Sequence, residues 1–160
     1  MSRPLRICFL CHGNICRSPM AEFVMKEILR REGIGNVEVS SAALRSDEIG
    51  SDIHHGTRAK LRIEGIPFTP RAAWLMTRAK SKFYDLLIGM DAYNRRDLEN
   101  LLPQEDHGKI RLLLSFAGSD GSIADPWYTG DFDATYRDVL AGCKGLAAAI
   151  AADPGGLFAR

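Results

Sequence analysis

No charge of one sign dominates this sequence: 21 Lys and Arg stand against 20 Asp and Glu. That balance leaves no electrostatic footprint for nucleic acid or an acidic membrane surface as main partner. Long apolar runs are missing as well. The opening "MSRPLRICFL" holds a run of strand length without a signal-peptide cleavage site, and nothing approaches the ~20 residues of a membrane span. Cysteine is scarce: Cys8, Cys11 and Cys16 crowd near the start, and Cys143 stands alone. A secreted disulfide framework needs more, so a reducing, cytoplasmic setting is expected, where clustered thiols point to catalysis or metal. Repeats, linkers and low-complexity segments are absent. The 160 residues suffice for one domain over 1–160 with a full core, about 155–160 forming a short tail.

What is there alternates between strand and helix signals. "LRICFLC" (5–11) reads as a buried strand, and Ser18-Pro19 supplies an N-cap and a first-position proline for a helix that Gly33 closes. "VEVSSA" (37–42), "YDLLIGM" (84–90) and "KIRLLL" (109–114) read as three more strands. Helices are expected over 56–66, over 91–102 and from about Asp131, with a loop over 115–130. In the last helix Phe132, Tyr136, Val139, Leu140, Cys143, Ala147 and Ile150 share one stripe. This order predicts a parallel sheet covered on both faces, with ligands beyond the carboxyl ends of its strands. The end of the first strand is therefore the place to look for chemistry.

There the sequence reads "LCHGNICRSP" (10–19). A Cys-x5-Arg spacing is weak by itself, but here it lies between a strand and a helix. His12, Gly13, Asn14, Ile15 and Cys16 can curl so that their backbone N–H groups form an anion nest above the helix N-terminus. Gly13 is expected to permit geometry a side chain forbids, and Asn14 tolerates the left-handed region. Arg17 offers a planar fork for two phosphate oxygens. Free cysteine titrates near ~8.5, and cations with helix N-termini bring it to about 3.5–7.5, so Cys11 is expected to be a thiolate, with Ser18 donating to it. Beneath a phosphate that thiolate is poised for in-line attack. The leaving group needs a proton, and Asp125, restricted by Pro126, is the candidate acid and later base. Trp127 and Tyr128 can wall a slot for an aryl phosphate.

"CHGNICRSPMAE" (11–22) and "DPWY" (125–128) resemble the two signature segments of the low-molecular-weight protein tyrosine phosphatases. "EIG" (48–50), "MDAYNRRDL" (90–98) and "DFDATYRDV" (131–139) extend the likeness over nearly the whole chain. The resemblance implies a four-stranded parallel twisted α/β sheet, Rossmann-like, with helices on both faces. It implies Cys11 as nucleophile, Arg17 as phosphate clamp and Asp125 as acid/base. Asn14 would shape the loop through Ser18 and Ser41, and Cys16 would form a reversible disulfide with Cys11. No metal or organic cofactor is implied. The implied partner is a phosphotyrosine-containing protein, a tyrosine kinase of surface-polysaccharide machinery among them, with inorganic phosphate as product; a monomer is the default expectation.

Three positions set this chain apart within that resemblance. Ile15 stands where a phosphoarginine-cleaving subgroup has threonine, which favours tyrosine. Asp47 stands where many members place an aromatic pocket wall, which predicts a more polar slot. Pro70 replaces a histidine that often supports the loop asparagine, so the support must differ and loop rigidity comes into question. Two further activities share this setting: arginine phosphatase, opposed by Ile15, and arsenate reductase. The latter needs relay cysteines, and none lies between Cys16 and Cys143. His54 and His55, beside Asp52, are expected as solvent-exposed loop histidines, since a metal site with His12 and Cys11 lacks ligand spacing. Cys8 and Cys143 are expected in the core.

Overall fold

A computed structural model describes residues 3–152. β1 (Leu5–Cys11) is buried at every position but Arg6, and a strand buried on both faces must be central. It pairs in parallel with β2 (Val37–Ala43) on one side and β3 (Leu86–Gly89) on the other, and β4 (Ile110–Leu112) lies beyond β3. The chain thus leaves β1 in one direction and returns on its other flank. Strand order reverses at β1, which ends at Cys11.

Alternation along β1 divides the core between two faces. Ile7 and Phe9 join the cluster built by α1 (Arg17–Glu32), α6 (Phe132–Ala152) and Leu61 of α2 (His55–Ile63). Cys8 and Leu10 join Leu98 and Leu102 of α4 (Ala92–Leu101) and its C-terminal cap on the opposite face. Ile7 and Phe9 are wholly buried, and burial of such a side chain contributes about 1.5–3 kcal/mol. Two short helices, α3 (Arg78–Ser81) and α5 (Pro126–Thr129), complete the set, with 3-10 segments over 104–109 and 113–117. The expected doubly covered, four-stranded parallel sheet is the fold observed. Among the described residues no helix is long and apolar enough to cross a membrane.

Several boundaries differ from expectation. Ser18 does not cap α1. The helix begins two residues earlier than expected, at Arg17, with Cys16 at the cap and no side-chain bond there. Pro19 therefore sits third, where the missing N–H would still have had no helical partner. β3 begins at Leu86 rather than 84, and the Asp85 carboxylate instead accepts from the Arg6 backbone N–H at 2.8 Å. β4 stops at Leu112 because the chain tightens into the 3-10 turn at Leu113. The expected loop over 115–130 contains α5, whose signals were local: Asp125 accepts from the Trp127 N–H, Pro126 follows, and Gly130 ends it at φ 71°. Asp131, from about which the last helix was expected to run, caps α6 by accepting the Ala134 N–H. Cys8 and Cys143 are both wholly buried in the core. The tail expected from about 155 lies outside the described residues.

Candidate active site

The loop between β1 and α1 is held from three sides. Leu44 and Arg45, just past β2, donate their N–H groups to the carbonyls of Cys11 and His12 at 3.0 Å each. The His54 N–H reaches the Ile15 carbonyl at 2.9 Å, and the Thr57 hydroxyl reaches that of Cys16 at 3.2 Å. Asn14, wholly buried, takes the left-handed backbone conformation at φ 59°. Gly13 does not. Its requirement is space, since a Cβ there would meet Glu48 Cγ at 3.3 Å.

Under the loop runs a connected set of side chains. Asn14 Nδ2 donates to Ser18 Oγ at 2.7 Å and to Ser41 Oγ at 2.9 Å, and Ser41 donates to Glu22 at 2.6 Å. Ser18 Oγ lies 3.1 Å from Cys11 Sγ, and the Ser18 backbone N–H points at the same sulfur at 3.4 Å. The support that Pro70 cannot supply comes from its neighbour: Arg71 Nη2 donates to Asn14 Oδ1 and Nη1 to the Ser51 carbonyl. Loop support is therefore replaced here, not lost.

Arg17 is almost wholly buried, and most of its fork is already engaged. Nη1 donates to Asp91 at 2.6 Å and to the Ile123 carbonyl at 3.0 Å, while Nη2 reaches Asp125 at 3.4 Å. Nε is buried without a hydrogen-bond partner. Burial works against the guanidinium charge, but Cys11, Asp91 and Asp125 outweigh it and hold its pKa above the ordinary arginine value. Asp91 was missed by sequence reasoning. Its signal was nonetheless local, because it caps α4 through the Asn94 N–H right after a buried strand.

Above Cys11 opens a cavity of about 120 Å³ whose walls include Asp47, Glu48, Trp127 and Tyr128, with Asp125 and Ile15 alongside. All three expected wall residues are thus brought together, and Glu48 joins them. Asp47 accepts from or pairs with His12 Nε2 at 2.7 Å, which holds its carboxyl below the usual range. Trp127 and Tyr128 are exposed, the latter 82%. Behind Trp127 stands His54, which is not the exposed loop histidine expected. Half-buried, it caps α2 by accepting the Gly56 N–H at Nδ1, stacks on Phe132 with ring centroids 5.4 Å apart, and meets Trp127 edge-on at 5.6 Å. Burial, then the neighbouring His55, lowers its pKa. Among the described residues no group of three or more His, Cys, Asp or Glu is arranged to hold a metal ion.

The four cysteines are all buried. Burial pushes Cys16 up to about 12, and raises Cys8 and Cys143 as well. All four cysteines are free thiols.

Residues 6–155 match the family model described as low molecular weight phosphotyrosine protein phosphatase. The chain is 34% identical over 149 residues to the low molecular weight protein-tyrosine-phosphatase YfkJ of Bacillus subtilis, covering 91% of this chain and 96% of that one. It is 33% identical over 141 residues to PtpA of Staphylococcus aureus, covering 88% and 90%. The crystal structure of YfkJ superposes with a TM-score of 0.91 at 33% identity, over 95% of this chain and 98% of that one. A Drosophila arginine phosphatase superposes with a TM-score of 0.83 at 28% identity, over 90% and 96%. Sequence match, sheet order and site loop agree, and the chain belongs to the low molecular weight protein tyrosine phosphatase family.

Proposed function

We propose that this protein hydrolyses phosphotyrosine in proteins, with Cys11 as nucleophile, Arg17 as phosphate clamp and Asp125 as acid and base. The observation that carries the reading is the buried, unpartnered Nε–H of Arg17 at a loop whose other side-chain polar groups are engaged. A buried donor without a partner costs about 1–3 kcal/mol, and a phosphate oxygen would satisfy it. Loop N–H groups and the N-terminus of α1 favour the remaining oxygens.

In the first step the Cys11 thiolate forms a bond to phosphorus while the bond to the tyrosyl oxygen breaks. Protonated Asp125 gives its proton to that oxygen, so tyrosine leaves neutral. In the second step the Asp125 carboxylate takes a proton from water, the water oxygen attacks phosphorus, and the thiolate leaves inorganic phosphate behind. Trp127 and Tyr128 would flank the aryl ring, and Asp47 would make that rim more polar. Once peroxide has oxidised Cys11 to a sulfenic acid, the Cys16 sulfur would displace water from it to form a disulfide, which a thiol reductant reopens, and Cys11 would be protected from further oxidation. Free thiols throughout suit a cytoplasmic setting, and a monomer suffices for every role named.

Phosphoarginine is the second reading, favoured by the likeness to the Drosophila arginine phosphatase. Against it stands Ile15, whose side chain packs with Cys16, Ala73 and Phe132 at the cavity wall. Steady-state hydrolysis of an aryl phosphate, a phosphotyrosine peptide and a phosphoarginine peptide separates the two. Wild type is expected to prefer phosphotyrosine, Cys11→Ser to be inert, and Asp125→Ala to lose about 10²–10⁴-fold, most on the poorest leaving group. Turnover by Cys11→Ser, or a preference for phosphoarginine, would overturn the proposal.

A further inference from the structure

Arg71 is unusual among the arginines of this protein in where its charge goes. Its guanidinium is partly buried, yet both of its bonds end on neutral oxygens, Asn14 Oδ1 and the Ser51 carbonyl. The nearby carboxylates have other partners. Glu22 holds Ser41 and Lys26, and Asp52 accepts from the Ile53 and Arg71 backbone N–H groups and lies 3.8 Å from Arg58.

Guanidinium can only donate, whereas an amide side chain has two faces and a hydroxyl can point either way. With Arg71 against Oδ1, the Asn14 amide must turn its NH₂ toward Ser18 and Ser41. Ser18 Oγ then receives a hydrogen from Asn14, and its own hydrogen is free for Cys11 Sγ at 3.1 Å. Ser41 likewise sends its hydrogen to Glu22. Were the amide reversed, Oδ1 would attract the hydroxyl hydrogens of both serines, and Cys11 would have to donate to Ser18. One arrangement suits a thiolate and the other a thiol.

Given that Cys11 is the nucleophile, we propose that Arg71 is a positioning residue that sets the direction of this hydrogen-bond relay, so that Ser18 donates to the Cys11 sulfur. Pro70 has no N–H and no polar side chain to do so. Arginine does it at any working pH, since its charge does not titrate away. The charged and titratable groups around the sulfur are Arg17, Asp91 and Asp125, Arg71 with Glu22 and Asp52, Cys16 and His12 in the loop, and Asp47, Glu48 and Tyr128 at the cavity wall. Burial opposes the charge of Arg71, while Glu22, Asp52 and Cys11 support it.

The test is alkylation of Cys11 by iodoacetamide, located by mass spectrometry, at pH 6 and pH 9. It needs no phosphatase turnover, so it stands or falls apart from the proposed reaction. In Arg71→Met the rate at pH 6 is expected to fall about tenfold, as for loss of one charge-assisted hydrogen bond, with the rate at pH 9 within about twofold of wild type. Arg71→Lys, which also only donates, is expected to recover most of the pH 6 rate. An equal fall at both pH values would mean that the loop is merely distorted, and would overturn the proposal. So would an unchanged pH 6 rate, or no recovery by lysine. Should Arg71→Met not fold, Arg71→Gln replaces it. Glutamine accepts as well as donates and no longer dictates the amide, so its ratio of pH 6 to pH 9 rates must drop below that of wild type.

Discussion

The floor and the rim of the cavity are built by opposite means. At the floor, Asn14, Ser18 and Arg17 are nearly or wholly buried, and Asn14 and Arg17 are tied to residues remote in sequence: Ser41, Arg71, Asp91 and Ile123. At the rim, Trp127, Tyr128 and Asp47 reach into water, Trp127 resting on the Asp125 cap and the edge of the His54 ring and Asp47 on His12. The difference suits the two tasks. Groups that meet a transferring phosphoryl gain from fixed, dry dipoles. Groups that meet a protein side chain must let it in, and exposure costs little there.

The sharpest way to break the comparison is to loosen the floor from a distance. Asp91→Ala removes the 2.6 Å partner of Arg17 and leaves a buried cation less constrained. A fall in kcat/KM on an aryl phosphate of about 10²-fold is expected, comparable to loss of one preorganised electrostatic group. A change under threefold would show that Ile123 and Asp125 position the guanidinium unaided.

A smaller effect is expected from behind the rim. In Gly56→Ala the new Cβ would lie 2.3 Å from Phe132 Cζ, the ring on which His54 stacks. Overpacking of this kind costs about 1–3 kcal/mol, measurable by urea denaturation. Because the damage stays behind Trp127, KM for a phosphotyrosine peptide should rise more than kcat falls. Equal changes would mean that rim and floor move together.

The smallest effect is acid sensitivity. His54 Nδ1 accepts the Gly56 N–H, which only the neutral ring can do. Its pKa is lowered in the folded protein, so between the folded value and the unfolded value near ~6.5 the unfolded chain binds more protons. The stability this contact contributes is complete above that unfolded value and is lost as pH falls through the folded one. His54→Asn keeps a capping oxygen without the titration, so its denaturation midpoint should fall less than that of wild type between pH 7 and pH 5. Parallel curves would remove His54 as the cause.

Much of the floor was legible because its signals are consecutive. Cys11, Asn14, Arg17 and Ser18 fall within eight residues between a buried strand and a helix, and Asp125-Pro126 announces its own turn. Ser18 was misplaced as a cap for an instructive reason. A serine before a proline carries the local signature of an N-cap, but here Cys11 and Asn14 compete for its hydroxyl and win. Arg71 left no such trace. Pro70 could be seen to remove one support, yet nothing in "TPRAAW" says that the next side chain turns inward to reach Asn14, 57 residues earlier. His54 was hidden in the same way, because its place depends on Phe132 and Trp127 arriving from the other end of the chain.

Sequence alone therefore determined the buried first strand, the anion-nest loop that follows it, and the candidate nucleophile and acid, since each rests on residue types set close together and on local backbone preference. Only the tertiary structure decided which remote groups orient them: Arg71 on Asn14, Asp91 on Arg17, His54 behind Trp127. Hydrogen bonds and ring contacts are fixed by positions in space. Here those positions were set by a sheet whose order reverses at β1, bringing distant loops to the same strand end.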